Sequence, residues 1–301
     1  MQTTPLRSQR LSDSATNLSA LALSSPQDRA CAMPHAHLPA AAGGWRAKHF
    51  LLDLDGTLVR QNAPIAHAAE LLERVAGRYA VVSNNSTHTA VGLSRALHRM
   101  GLGIPARRIV LAGEHTLHWV AQSHPGARIR LLASMALQRR ARELGCTLVE
   151  TAPDIVVLAR DERFDYAKLA STVNQLRAGA QLVVANPDLS HPADGGRLVP
   201  ETGALMQAVV ACSGVQPAQV IGKPGHRLFR EALHRLQAHA ADTLMIGDNP
   251  ATDALGAAGL GMRCVLVGEG RGAQVASLAA LLGAGDGATS PPSSGPRLSL
   301  E

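Results

Sequence analysis

Two carboxylates stand two residues apart in the segment Asp53-Leu54-Asp55-Gly56-Thr57, at the end of an apolar run that begins at His49. On an extended strand, residues two apart point to the same side, so Asp53 and Asp55 converge at the strand's carboxyl end. In open α/β sheets ligands bind outside that end. Like charges this close repel, and burial increases the cost; a metal ion, a shared proton or a nearby cation must accompany them. Gly56 permits the tight exit. A calcium-binding EF-hand loop would need Glu at the twelfth position from Asp53, and Pro64 stands there. Two solvated carboxylates on a strand-ending turn remain the plain structural alternative.

Three more clusters follow. Ser83-Asn84-Asn85-Ser86 closes a second apolar run and offers hydroxyl, amide and backbone donors to an anion; the same residues also make ordinary turns and helix caps. Gly222-Lys223-Pro224 carries one of only three lysines in the chain, a compact charge suited to a phosphate or carboxylate. It is not a P-loop, because Pro217 occupies the required upstream glycine position and no Ser or Thr follows the lysine. Gly247-Asp248-Asn249-Pro250-Ala251-Thr252-Asp253 follows a further apolar run, so Asp248 again ends a strand, or else caps the next helix. Asp pair, hydroxyl, lysine and acidic loop are expected along one edge of one sheet.

The elements that would carry these residues alternate. Apolar runs predict strands at 49–54, 79–83, 108–112, 128–133, 154–159, 181–185, 219–221, 243–247 and 263–267. Helical spacing predicts helices at 66–75, 89–100, 115–122, about 135–144, 165–178 and 225–238. This rhythm implies an α/β chain with parallel sheets. The strands are too many for one small sheet, so an inserted smaller unit is expected at 126–200. Segments 1–47 and 283–301 are rich in Ser, Pro, Ala and Gly without periodicity and read as disordered, with Met33 a possible true start.

The 301 residues are 46% hydrophobic and 17% charged, enough to bury a core. No apolar run reaches the roughly 18 residues of a membrane span. The net charge of +6 comes from 29 basic and 23 acidic residues, and the arginines are scattered among acids. With aromatics at 2%, neither a basic nucleic-acid face nor a base-stacking platform is expected. The four cysteines, Cys31, Cys146, Cys212 and Cys264, are too far apart for a metal knuckle or redox pair, which fits a reducing, cytoplasmic setting.

Taken in order, DLDGT (53–57), SNNS (83–86), GKP (222–224) and GDNPATD (247–253) resemble the four motifs of the haloacid dehalogenase-like hydrolase superfamily. The stretch Asn186-Pro-Asp, with Pro192, Gly196, Pro200 and Gly203, and the segment Asp161–Lys168 resemble the subfamily with a large α/β cap, which includes nitrophenyl-phosphatases and phosphoglycolate, nucleotide and sugar phosphatases. The resemblance covers about 48–268. It implies a doubly wound, parallel-sheet Rossmann-like core in two parts, 48–125 and 201–282, with a cap domain at 126–200.

The resemblance also implies roles. Asp53 would be the nucleophile that forms an aspartyl-phosphate. Asp55 would be the acid and then the base. Lys223 would stabilise the charge, and Ser83, the Asn84 backbone and Asn85 would hold phosphoryl oxygens. Mg²⁺ would sit on the Asp53 carboxylate, the Asp55 carbonyl and Asp248. Asn249 and Asp253 would support the site, while Asn186 and His191 on the cap loop would touch the substrate. Glu201 replaces a glycine-rich turn found in many relatives, and would either repel anionic substrates or cap a helix. The implied function is a Mg²⁺-dependent phosphatase for a small phosphorylated metabolite, with no nucleic-acid or membrane partner and with a cap-mediated homodimer as a hypothesis. The dehalogenase branch itself lacks the second aspartate, which Asp55 supplies here. A catalytically silent metabolite-binding protein on the same scaffold is the alternative; its mark would be a lost motif residue, and none is lost.

Overall fold

A computed structural model describes residues 47–270 and 272–283. The two stretches expected to be disordered lie outside the described residues, save Ala47, which is buried, and Gly283, which ends the last helix.

The chain enters with β1 (His49–Leu52) and a small hairpin, β2 (Val59–Arg60) and β3 (Ala63–Pro64). Then come α1 (Ala68–Arg74), β4 (Tyr79–Ser83), α2 (Ala90–Arg99), β5 (Ile109–Leu111) and α3 (Ala112–Ser123). A second series follows: β6 (Arg128–Leu132), α4 (Met135–Glu143), β7 (Thr147–Leu148), β8 (Ile155–Leu158), α5 (Tyr166–Arg177) and β9 (Gln181–Val184). The hairpin β10 (Ser190–Pro192) and β11 (Leu198–Pro200) leads to α6 (Thr202–Ser213) and β12 (Gln219–Val220). The chain ends with α7 (His226–Leu236), β13 (Thr243–Gly247), a π-turn at Pro250–Ala254, α8 (Leu255–Ala258), β14 (Arg263–Leu266) and α9 (Leu278–Gly283).

Two five-stranded parallel sheets result. The first has the order β14-β13-β1-β4-β5, the second β12-β9-β8-β6-β7. Continuous apolar strands need both faces covered. Phe50 and Leu52 of β1, Tyr79 and Val81 of β4, and Leu244 and Ile246 of β13 feed one core with α1 and α2 residues Leu71 and Leu97. The alternate residues Leu51, Ala80, Val82 and Met245 feed the opposite core with Leu228 and Phe229 of α7. That second core also takes Ile129, Ile155, Val157 and Val183 from the other sheet. The far face of the second sheet packs on Leu176 of α5 and Val209 of α6. The expected α/β architecture is thus present, in two sheets.

Sequence reading ended the inserted segment at residue 200 and placed strand 219–221 beyond it. The sheet pairing runs further: Gln219 and Val220 pair with Val183 and Val184 of β9, and Ile221 N–H donates to Val184 O. A two-residue strand carries too little periodicity to declare its sheet, so packing decides it. Helix α6 escaped the periodic reading because it is apolar nearly all round (TGALMQAVVACS), as a helix packed on a sheet and a second helix can be.

Candidate active site

The site is built on the carboxyl ends of adjacent strands. In the order β13-β1-β4, the residues that end or follow these strands are Asp248, Asp53 with Asp55, and Ser83. Lys223 corrects the expectation of one edge on one sheet. It follows β12 of the second sheet and reaches across to the first.

Asp53 is buried, 5% exposed. Its Oδ1 accepts from Lys223 Nζ at 2.5 Å and its Oδ2 from Thr57 Oγ1 at 3.3 Å. Lys223, 2% exposed, also donates to Asp253 Oδ1 at 2.7 Å. Burial pulls the lysine's pKa down, but Asp253 and Asp53 outweigh it and hold the ammonium charged, above the ordinary lysine value. Burial raises the Asp53 carboxyl well above the usual range; Lys223 opposes this, while Asp253, Asp248 and Asp55 reinforce it.

Asp55, two residues on, reaches solvent. Its thin hydration raises its carboxyl, against the pull of Lys223, Ser83, His191 and His88. Ser83 Oγ lies 3.4 Å from Asp55 Oδ2 and accepts from Asn85 N–H at 3.0 Å. An acid that touches solvent beside a buried, cation-paired carboxylate is the division of labour that splits proton transfer from nucleophilic attack.

The Asn85 side chain is used differently from the expectation, and the Asn84 side chain has a task of its own. Asn85 Oδ1 accepts from the N–H groups of Thr87 and His88, so it shapes the turn. The Asn84 amide grips Lys223: its Oδ1 accepts from Lys223 N–H at 2.7 Å and its Nδ2 donates to Lys223 O at 3.1 Å. This leaves the Asn84 main chain as the part suited to an anion.

The acidic loop is organised by Asp253, which is fully buried. Its Oδ2 accepts from the N–H groups of Asp248 and Asn249, at 3.3 and 3.2 Å. Asn249 caps the following turn by accepting from Ala251 N–H at 2.9 Å. Two glycines make room. A Cβ on Gly247 would meet Asp253 Oδ2 at 2.3 Å, and one on Gly56 would meet Asp248 Oδ2 at 2.0 Å; Gly56 also has φ +87.

One oxygen each from Asp53, Asp248 and Asp253 lies within 4.8 Å of the others. Burial and Asp253 push the Asp248 carboxyl up to about 6. Four carboxylates, with Asp55, face one lysine. A hard divalent cation would relieve that excess, and all-oxygen donors suit Mg²⁺ or Ca²⁺. Asp253 is the most heavily engaged of the three, with Lys223 on Oδ1 and two loop N–H groups on Oδ2; Asp248 and the Oδ2 of Asp53, held only by a 3.3 Å bond from Thr57, are the side-chain oxygens better fitted to a metal.

The second sheet contributes the opposite wall. Asn186 is buried, and its Nδ2 donates to Asn84 O at 2.8 Å, Ser86 Oγ at 3.0 Å and Thr202 Oγ1 at 3.3 Å. It ties the two sheets together, which is a different task from the substrate contact expected. His191, on β10, is half-exposed; its Nδ1 lies 2.7 Å from Glu201 Oε1. Arg160 approaches the same Glu201 oxygen at 3.5 Å. Glu201 precedes α6 without capping it through its side chain; it is held by His191 and Arg160. Burial raises its carboxyl, against the pull of Arg160 and His191.

Sequence reasoning gave no role to Asp188, His88, Arg160 or Thr202, and took Ser86 only as part of the anion-donor cluster 83–86. For Asp188 a signal existed: Asn186-Pro-Asp follows strand β9 much as Asp53-Leu-Asp follows β1. Ser86 Oγ lies 2.8 Å from Thr202 Oγ1, a pairing 116 residues apart that no local pattern announces.

The haloacid dehalogenase-like hydrolase family model matches residues 47–261. Dihydroxyacetone phosphatase of Corynebacterium glutamicum is 30% identical over 224 residues, covering 73% of this chain and 81% of that protein. The crystal structure of 4-nitrophenylphosphatase from Thermotoga maritima superposes with a TM-score of 0.71 at 27% identity, over 79% of this chain and 90% of that one. Glycerol phosphate phosphatase from Mycobacterium tuberculosis, solved in complex with magnesium, gives 0.68 at 30% identity, over 74% and 68% of the two chains.

Proposed function

This chain belongs to the haloacid dehalogenase-like hydrolase family, and on that premise we propose that it is a phosphatase that hydrolyses small phosphomonoesters through an aspartyl-phosphate. The observation that carries the reading is the buried Asp53 carboxylate clasped by Lys223 at 2.5 Å, with the solvent-facing Asp55 beside it. A structural ion pair would need no second, solvent-exposed carboxylate beside it.

In the proposed mechanism an Asp53 oxygen attacks phosphorus, and the bond from phosphorus to the ester oxygen breaks. Asp55 donates its proton to that leaving oxygen, so the alcohol departs neutral. Asp55, now a carboxylate, takes a proton from water as that water attacks phosphorus. The Asp53–phosphorus bond breaks, and inorganic phosphate leaves. Lys223 stays protonated throughout and holds Asp53 ionised and oriented. Ser83 and the Asn84 main chain would receive phosphoryl oxygens. Asp53, Asp248 and the Asp55 carbonyl would hold Mg²⁺, which when bound neutralises charge on the transferred phosphoryl group. Positioning and charge neutralisation then account for most of the rate.

The second sheet with its helices, from about 126 to 220, would act as the cap that sets specificity. Its His191 lies near enough to Asp55 to help lower that carboxyl, and its imidazole is braced by Glu201. Glu201 is itself countered by Arg160 and His191, which removes the objection that it would repel an anionic substrate. The relatives named dihydroxyacetone phosphatase and glycerol phosphate phosphatase support phosphate esters of three-carbon compounds as the first to try.

Phosphate release from a panel of phosphomonoesters, with Mg²⁺ and with chelator, tests the reading. Wild type should release phosphate only with the metal, and Asp53→Asn should abolish release. Undiminished release by folded Asp53→Asn would overturn the nucleophile assignment. No release from any ester by wild type would overturn the phosphatase reading.

A further inference from the structure

The geometry points to Asp188 as a positioning residue that acts on Lys223 through the Asn84 side chain. The inference rests on the phosphatase reading above and adds a residue to it. Asn84 Nδ2 donates to both Asp188 carboxylate oxygens, at 3.1 and 3.0 Å, and to Lys223 O at 3.1 Å, while Asn84 Oδ1 accepts from Lys223 N–H at 2.7 Å. The amide thus reads the Lys223 main chain as a neighbouring strand would, with donor on acceptor and acceptor on donor. Flipping the amide would set like groups against each other at Lys223 and at Asp188. The Asp188 carboxylate and the Lys223 main chain therefore fix the same orientation of Asn84, and the carboxylate holds the amide on the lysine from the other side.

The support behind Asp188 is rigid. Its N–H donates to Asn186 Oδ1 at 3.1 Å, and its carbonyl accepts from Gly203 N–H at 2.7 Å. A Cβ on Gly203 would meet Pro187 O at 2.2 Å and Asp188 O at 2.6 Å, so this close approach requires glycine. On the other side, a Cβ on Gly222 would meet Asn84 Oδ1 at 2.6 Å and Asn186 Cβ at 2.8 Å. The loop after β9 of the second sheet, the loop after β4 of the first, and the lysine loop are locked at one point. Through it the second sheet's placement is coupled to the ammonium that holds Asp53. A displacement of about 1 Å in a catalytic group can cost on the order of a hundredfold in rate.

Steady-state kinetics with p-nitrophenyl phosphate test the coupling. Asp188→Ala should lower kcat about tenfold with KM changed less than twofold, because substrate binding is not the function lost. Asn84→Ala should lower kcat further. The double variant should match Asn84→Ala, because Asp188 acts only through that amide. Asp188→Asn keeps an acceptor for Asn84 Nδ2 and should restore most of kcat. Asp188→Ser, too short to reach Asn84, should repeat the alanine result and serves if the alanine protein does not fold. Losses that multiply in the double variant, a change confined to KM, or Asp188→Asn as poor as Asp188→Ala would each overturn the coupling while leaving the phosphatase reading intact. A wild type that releases no phosphate would defeat both.

Discussion

Replacing Lys223 by methionine removes one charge and keeps most of the side-chain volume. The ammonium is 2% exposed and makes two charge-assisted bonds, at 2.5 Å to Asp53 and 2.7 Å to Asp253. Its loss leaves two buried carboxylates without their counter-ion, and breaking a buried pair from one side costs about 3–5 kcal/mol. For a folded body of this size that corresponds to a fall in Tm of about 6–20 °C. The assay is thermal unfolding followed by circular dichroism, in chelator, at pH 8 and pH 5. In the wild type Lys223 is protonated both folded and unfolded below the ordinary lysine pKa, and its folded value is higher still, so its contribution is present at both pH values. In the variant the orphaned carboxylates relax by taking up protons, so the deficit should be smaller at pH 5. The control is Lys48→Met. That lysine pairs with Asp242 at 3.2 Å, but the two side chains are 71% and 41% exposed. Such a pair contributes about 0–1 kcal/mol, so Tm should barely move. A Lys223→Met protein as stable as the Lys48→Met control, or a deficit that grows toward pH 5, would refute the reasoning.

The same geometry leads to three more expectations. Gly56→Ala would drive a Cβ into Asp248 from a backbone at φ +87; it should weaken Mg²⁺ binding at least about tenfold by calorimetric titration, and an unchanged affinity would contradict the proposed ligand set. Because the Asp248 carboxyl is pushed up to about 6, the metal-free protein should lose stability as pH rises from about 4 to 6, the folded state there holding a proton that the unfolded state has released; urea midpoints that rise over that interval in chelator would argue against it. Ser86 Oγ meets Thr202 Oγ1, Asn186 Nδ2 and Arg160 N–H at 2.8, 3.0 and 3.2 Å; Ser86→Ala should cost about 1–3 kcal/mol in a denaturant titration by leaving buried partners unmet, and a loss under 0.5 kcal/mol would show that junction to be less coupled than drawn.

Much of the site could be read locally. Asp53, Asp55, Ser83 and Asp248 stand where an apolar run turns polar, and the end of a parallel strand is fixed by the few residues around it. The strands themselves were legible for the same reason: β4 and β13 feed both cores with alternate residues, so their apolar runs are unbroken. The sequence by itself therefore determined which carboxylates and hydroxyl sit at a sheet's carboxyl edge, and in which chain order.

What it left to the tertiary structure is pairing that no local pattern announces, some of it across a hundred residues or more. Lys223 belongs to the second sheet's edge because β12 pairs with β9, and two residues of strand hold no periodicity that could announce this. Asn84 grips Lys223 across 139 positions, and Asn186 reaches Ser86 across 100. Glu201 could be read as a repelling charge or a helix cap; packing made it instead the partner of His191 and Arg160. A strand's end is a property of its own neighbours in sequence. The partner of a polar side chain is set by how two sheets come to rest against a shared core, and only there are the donors and acceptors matched.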